Sequence, residues 1–217
     1  VLGAYTEENN NPDCMFANQL VEGDELVIEY YQPAGQSIDP LINISEVSYT
    51  YRGVYFENNP DTKGSLWCMI NINCSPEGDN WQDEKRGVVK QYMKIGWGYY
   101  LCSGTMINNT EQDLTPYVLT AFHCGEGASA TDMNQWIFYF NYESSTCSGN
   151  WGPTNQTMTG CTLRAQGSYA TGSDFLLIEL KYDVPASYNT YFNGWDRTNV
   201  GADSGVNIHH PAGDIKK

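Results

Sequence analysis

From Val88 to Leu180 the chain is cut into short strand-forming runs separated by turn residues. That spacing restricts it to an all-β fold of the sandwich or barrel kind. Val88 to Tyr92, Gly98 to Ile107, Tyr117 to Ala121, Gln135 to Tyr142, Thr162 to Ala165 and Phe175 to Leu180 read as strands. Met69 to Ile72 is a further candidate, and Gln82 to Arg86 reads as a short helical turn. Strand-favouring aromatic residues are plentiful, with 16 Tyr and 6 Trp. Gly, Asn, Asp, Ser and Pro fall between the runs, where turns need them. The sequence shows no internal repeat, low-complexity tract or long amphipathic helix.

The first 63 residues differ in character. Glu25 to Tyr31 and Leu41 to Tyr51 read as two strands of a small β unit, and Asn58 to Ser65 reads as an exposed linker. Residues 1–63 carry 11 acids against 2 bases, and residues 64–217 carry 15 against 9. The net charge of −15 would repel phosphate backbones and anionic membrane surfaces, so neither nucleic acid nor membrane is an expected partner. The sequence contains no apolar run long enough to span a bilayer as a helix. Seven cysteines scattered through strand-like sequence fit disulfides in an exported protein, extracellular or periplasmic. Their odd number leaves at least one thiol without a partner in the chain. With no initiator Met, the chain reads as a processed or truncated piece.

Two runs carry chemistry. Tyr117-Val118-Leu119-Thr120-Ala121-Phe122-His123-Cys124 is an apolar strand that stops at a histidine followed by a cysteine. Ser173-Asp174-Phe175-Leu176-Leu177-Ile178-Glu179-Leu180 is a strand opened by an aspartate. Either residue alone reads more readily as structural: a satisfied histidine at a strand end, and a commonplace Asp at a strand start. Histidine is scarce, however, with three in the chain. A general base must reach its nucleophile, and a carboxylate usually fixes its tautomer.

The wording around both residues resembles the trypsin-like serine proteases. Leu101-Cys102-Ser103-Gly104-Thr105-Met106-Ile107-Asn108-Asn109 is similar to the strand that faces the catalytic histidine in that family. Leu119 to Cys124 is similar to its histidine motif, with Phe122 where a small residue is usual. The nearer resemblance is to bacterial lysyl endopeptidase-type enzymes. It is carried by Cys68 to Asp79, Phe140 to Cys147, Gly194-Trp195-Asp196-Arg197 and Ile208-His209-His210-Pro211. It covers about residues 64 to 217.

The resemblance implies a chymotrypsin-like antiparallel β-barrel, with the first barrel and the opening of a second in residues 64–217. Residues 1–63 would be a propeptide-like segment, released at Lys63-Gly64 in a zymogen. The implied function is secreted serine endopeptidase, hydrolysing peptide bonds of polypeptide substrates after Lys or Arg. His123 would be the general base and then general acid, and Asp174 the orienting carboxylate. Cys102 would pair with Cys124, and Cys74 with Cys147. The first crosslink closes a loop of roughly 20 residues and would contribute about 3 kcal/mol. Cys68 would pair beyond the chain, and Cys14 with Cys161 is the remaining option.

The nucleophile has no convincing place. Asp203-Ser204-Gly205 has the family's Asp-Ser-Gly word, but Ser204 follows Asp174 by 30 residues. Roughly 90 separate the two roles in the family's best-studied enzymes. The expectation is that the serine lies beyond Lys217, that the missing C-terminal segment is a partner, and that this chain alone is inactive. Val206 to His209 is expected to be a strand. His209-His210 is a poor metal site, because neighbours on a strand face apart. No metal or other cofactor is called for. The alternative from another class is a secreted β-sandwich module that binds carbohydrate or protein, which would have exposed coplanar aromatics and no His123–Asp174 contact.

Overall fold

The computed structural model describes residues 3, 5–6, 14–37, 39–50, 65–66, 68–198 and 200–217. Among the described residues seven strands form one sheet: β1 (Val88–Ile95), β2 (Gly98–Ile107), β3 (Tyr117–Thr120), β4 (Ile137–Tyr139), β5 (Thr157–Thr159), β6 (Cys161–Gly167) and β7 (Phe175–Leu180). Their order across the sheet is β5-β4-β1-β2-β3-β7-β6, and every pairing is antiparallel. The hairpin between β1 and β2 turns in two residues, with Ile95 opposite Gly98 and Gly96 at φ +57°. A left-handed residue matches such a turn to the right-handed twist of the strands.

The two edge strands, β5 and β6, are consecutive in the chain and joined by Gly160 alone. Gly160 donates to the Trp136 carbonyl (2.8 Å) and accepts from Lys181 N–H (3.2 Å), so the chain steps from one sheet edge to the other and curls the sheet on itself. Its φ of +86° suits glycine, and a Cβ there would sit 3.1 Å from the Asn134 carbonyl oxygen. The result is a curled, mostly β half-barrel.

Period-two alternation on β1 sends Val89, Gln91 and Met93 into the barrel, where they meet Met106, Val118, Trp136, Phe138, Leu176 and Ile178. Lys90, Tyr92 and Lys94 point outward yet are also buried. Their face is covered by a second cluster of Tyr92, Ile137, Tyr139, Tyr142 and Ile215, with Leu20 packed against it. Burial on both faces explains why β1, Val-Val-Lys-Gln-Tyr-Met-Lys-Ile, shows no clean alternation of apolar and polar residues.

Several expected elements differ. Among the described residues, 25–31 and 41–50 form no strand, because no neighbouring chain offers them a backbone ladder. Met69–Ile72 is irregular and runs into turns at Ile72 and Asn73. The predicted strand over 135–142 shortens to Ile137–Tyr139, since Trp136 closes a turn back to Met133 (3.3 Å). Val206 to His209 is not a strand, although His209 and Lys217 exchange a backbone pair (3.2 and 3.0 Å). Strand β5, Thr-Met-Thr, was too short to stand out. Lys63 and Gly64 lie outside the described residues.

Candidate active site

Strand β3 delivers the histidine. It ends at Thr120, whose hydroxyl donates to the Ser103 carbonyl of β2 (2.8 Å). Ala121 is still extended, and the chain then makes the single turn α1, Phe122–Gly125. Two features fix that turn. Cys124 is bonded to Cys102 of β2, with Cα atoms 6.3 Å apart. Gly125 sits where a Cβ would come within 2.6 Å of Leu176 Cδ2 and 2.8 Å of Trp136, so the turn is pressed onto the core. Of the two neighbours, Cys124 faces inward and His123 faces out.

Asp174 arrives from the other side, one residue before β7. The 3₁₀ turn Tyr169–Thr171 precedes it, capped by Ser168 and ended by Gly172 at φ +102°. Asp174 itself sits at φ +40°, an uncommon conformation for a residue with a side chain. The pairing of β3 with β7, Thr120 opposite Leu176, brings the two strand ends together.

His123 Nδ1 lies 2.8 Å from Asp174 Oδ2, and the His123 backbone N–H donates to Oδ1 at 3.0 Å. The Phe122 N–H donates to the Asp174 carbonyl at 3.2 Å. The hydrogen bonds from His123, ring first and then backbone, hold the Asp174 carboxyl below the usual carboxylate range. An ionised carboxylate only accepts, so Nδ1 carries the ring proton and Nε2 presents its lone pair. The imidazole is 60 % exposed and the carboxylate 34 %, which leaves Nε2 open to an incoming group. Such a pair can take a proton at Nε2 and stabilise the resulting cation. A non-catalytic binding module expected no contact between these side chains, and the 2.8 Å separation counts against it.

The other sequence candidates are placed as follows. Cys74 and Cys147 form a second disulfide, Cα atoms 4.4 Å apart. Cys161 does not pair with Cys14: Cys161 is buried in the barrel with its thiol pushed up by desolvation, while Cys14 and Cys68 are exposed and free. Ser204 lies in an exposed bend and makes no hydrogen bond to His123. His210 is buried, stacked on Tyr142 and bonded through Nδ1 to the Asp214 carbonyl (2.9 Å). Among the described residues no group of His, Cys, Asp and Glu is arranged to hold a metal.

Two arrangements escaped the sequence. Phe122, next to His123, packs on the exposed ring of Tyr169 (centroids 6.3 Å apart). Lys216, one of two terminal lysines with no visible assignment, is fully buried. Its ammonium donates to Glu143 Oε2 (3.1 Å) and to the Lys85 carbonyl (2.7 Å), and Lys85 Nζ lies 2.6 Å from Glu143 Oε1. Residues 58 to 131 positions apart give no local signal of such a network.

Residues 62–217 match the family described as "Lysyl endopeptidase, C-terminal domain", and the chain belongs to that family. It is 30% identical over 206 residues to the lysyl endopeptidase of Pseudomonas aeruginosa, an alignment that takes in 91% of this chain and 44% of that protein. The chain thus spans less than half the length of that relative. Among solved structures it is similar to GrC (15% identity, TM-score 0.38, covering 62% of this chain and 51% of that one). It is also similar to the scabies mite inactivated protease paralogue S-D1 (11% identity, TM-score 0.30, covering 48% and 37%).

Proposed function

We propose that this chain is the histidine- and aspartate-bearing part of an exported serine endopeptidase that cleaves polypeptides after lysine or arginine. The observation that carries the reading is the 2.8 Å contact from His123 Nδ1 to Asp174 Oδ2, with Nε2 left open. Nε2 takes the proton of a serine hydroxyl as its oxygen attacks the scissile carbonyl. The imidazolium then gives that proton to the departing amine, and an acyl-enzyme remains. Water repeats the sequence and releases the acid. Asp174 stays ionised throughout, holds the Nδ1 proton in place and stabilises the transient cation.

The nucleophile is proposed to lie outside these 217 residues, since Ser204 is not bonded to the base. Residues 1–63 are proposed to be a propeptide removed at Lys63-Gly64. The lysine preference rests on the relative's name and on that junction.

The test uses a chromogenic lysyl substrate. The 217-residue chain gives no turnover above background. The longer protein that contains it gives turnover, and His123→Ala lowers its kcat/KM by about 10⁴-fold or more. Turnover by the 217-residue chain, lost in both His123→Ala and Ser204→Ala, would show that Ser204 is the nucleophile after all.

A further inference from the structure

The acidic N-terminal segment lies on the outside of the barrel in a regular way. Glu46, Ser48 and Thr50 all reach the outward faces of β1 and β2. The Glu46 carboxylate pairs with the Lys94 ammonium and also accepts from the Tyr99 hydroxyl at 3.2 Å. Ser48 stands beside the same phenol. The Thr50 hydroxyl is 3.0 Å from the Tyr92 hydroxyl. The intervening Val47 and Tyr49 face solvent, 81 % and 76 % exposed. Residues 46–50 therefore have the period-two habit of a strand, but they attach by side chains instead of a backbone ladder. Further along the sheet, Gln19 pairs with Thr157 of β5 and Leu20 packs on the tyrosine cluster.

We propose that the outer tyrosine face of β1 and β2 is a docking site for an extended peptide anchored by a carboxylate, occupied by residues 46–50 of this chain with Glu46 as the anchor. Charge supports that occupant. The first 50 residues carry nine carboxylates and neither Lys nor Arg. With the segment in place 8 % of the Lys94 side chain is exposed, and an ammonium so enclosed is held by an ion pair. Asp132 is the other carboxylate nearby, but its Oδ2 already accepts from the Ser129 hydroxyl (2.7 Å) and backbone (2.9 Å). Glu46 fills the role instead. The docked segment leaves the imidazole of His123 open, so it binds this chain without covering the proposed base.

The experiment is amine acylation of the full 217-residue chain, read residue by residue by mass spectrometry, with histidine carbethoxylation run in parallel. Glu46→Gln raises the labelling rate at Lys94 about tenfold, while Glu46→Asp and the wild type stay slow. Lys216, buried under other cover, stays slow in all three, and the rate at His123 does not change. Thr50→Val removes the second contact without touching the ion pair and raises Lys94 labelling two- to threefold. It carries the test if Glu46→Gln also exposes Lys216. Lys94 labelling that is unchanged in both Glu46→Gln and Thr50→Val overturns the docking site. A rise at His123 with Lys216 still protected overturns the claim that the segment leaves the base uncovered.

Discussion

Asp174 grips His123 at two points, the ring Nδ1 at 2.8 Å through one carboxylate oxygen and the backbone N–H at 3.0 Å through the other. The same carboxylate therefore sets both the position of the turn and the tautomer of the ring. Both oxygens are in use, and this accounts for an acid whose pKa lies below the ordinary range despite its exposure.

Asp174→Asn tests that double role. An amide can donate to Nδ1 and leave the proton on Nε2, which removes the proposed base. In the longer protein containing this chain, kcat/KM for a lysyl substrate should fall by about 10⁴-fold with little change in folding, as steady-state kinetics and circular dichroism would show. Activity within tenfold of the parent would mean that Asp174 does not orient the ring.

Glu143 is the single carboxylate between two lysine ammonium groups, Lys85 at 2.6 Å and Lys216 at 3.1 Å. Those two cations overcome the desolvation that would otherwise raise its pKa, and it lies below the usual value. Glu143→Gln leaves two poorly solvated cations facing each other and should cost about 3–5 kcal/mol in urea unfolding. Because the folded pKa is depressed, this stabilisation is present at neutral pH. It is lost as the pH falls below the ordinary glutamate range and through the folded value.

Lys90 is buried on the outer face of β1, its ammonium 4.3 Å from the centre of the Tyr142 ring. Desolvation brings its pKa down from 10.5 to about 8, partly opposed by the charge of Asp214. An ammonium with a depressed folded pKa costs stability while it is charged. That cost is full below pH 8 and disappears as the pH rises through 10.5. Lys90→Met should stabilise the protein by up to about 3 kcal/mol at neutral pH. The gap between variant and parent should close between pH 8 and 10.5, read by denaturant titration at several pH values.

Gln91 points into the barrel with neither amide nitrogen nor oxygen hydrogen-bonded to a protein group among the described residues. Gly104 makes the room for it, since a Cβ there would come within 2.3 Å of the Gln91 nitrogen. Gln91→Met keeps the shape and removes the unmet polar atoms, so it should raise stability by about 1–2 kcal/mol. A loss of stability in thermal or urea unfolding would show that the amide is satisfied, for instance by an enclosed water.

The strands of residues 98–107 and 175–180 could be read to the residue, because their runs are flanked by turn formers and their alternation is clear. The pairing of cysteines came from wording shared with a known family. Residues 41–50 show where pattern misleads. Their alternation is real and residues 46, 48 and 50 do reach the sheet, but a strand is defined by a backbone partner, and among the described residues none lies alongside to supply one. Strand β5 failed in the opposite direction: three residues are too few for any periodicity, and its partner β4 made it a strand.

By itself the sequence determined the local matters: short β-forming runs, the turns between them, a histidine closing one strand and an aspartate opening another. Those follow from steric preference and from the two-residue repeat of a pleated chain. Only the tertiary structure decided that Thr120 lies opposite Leu176, which carries residues 51 positions apart to within a hydrogen bond. It also decided that Lys216 is buried against Glu143 and that Glu46 meets Lys94. Burial and ion pairing across such separations depend on which surfaces the curled sheet brings together, and no neighbour in the chain encodes that.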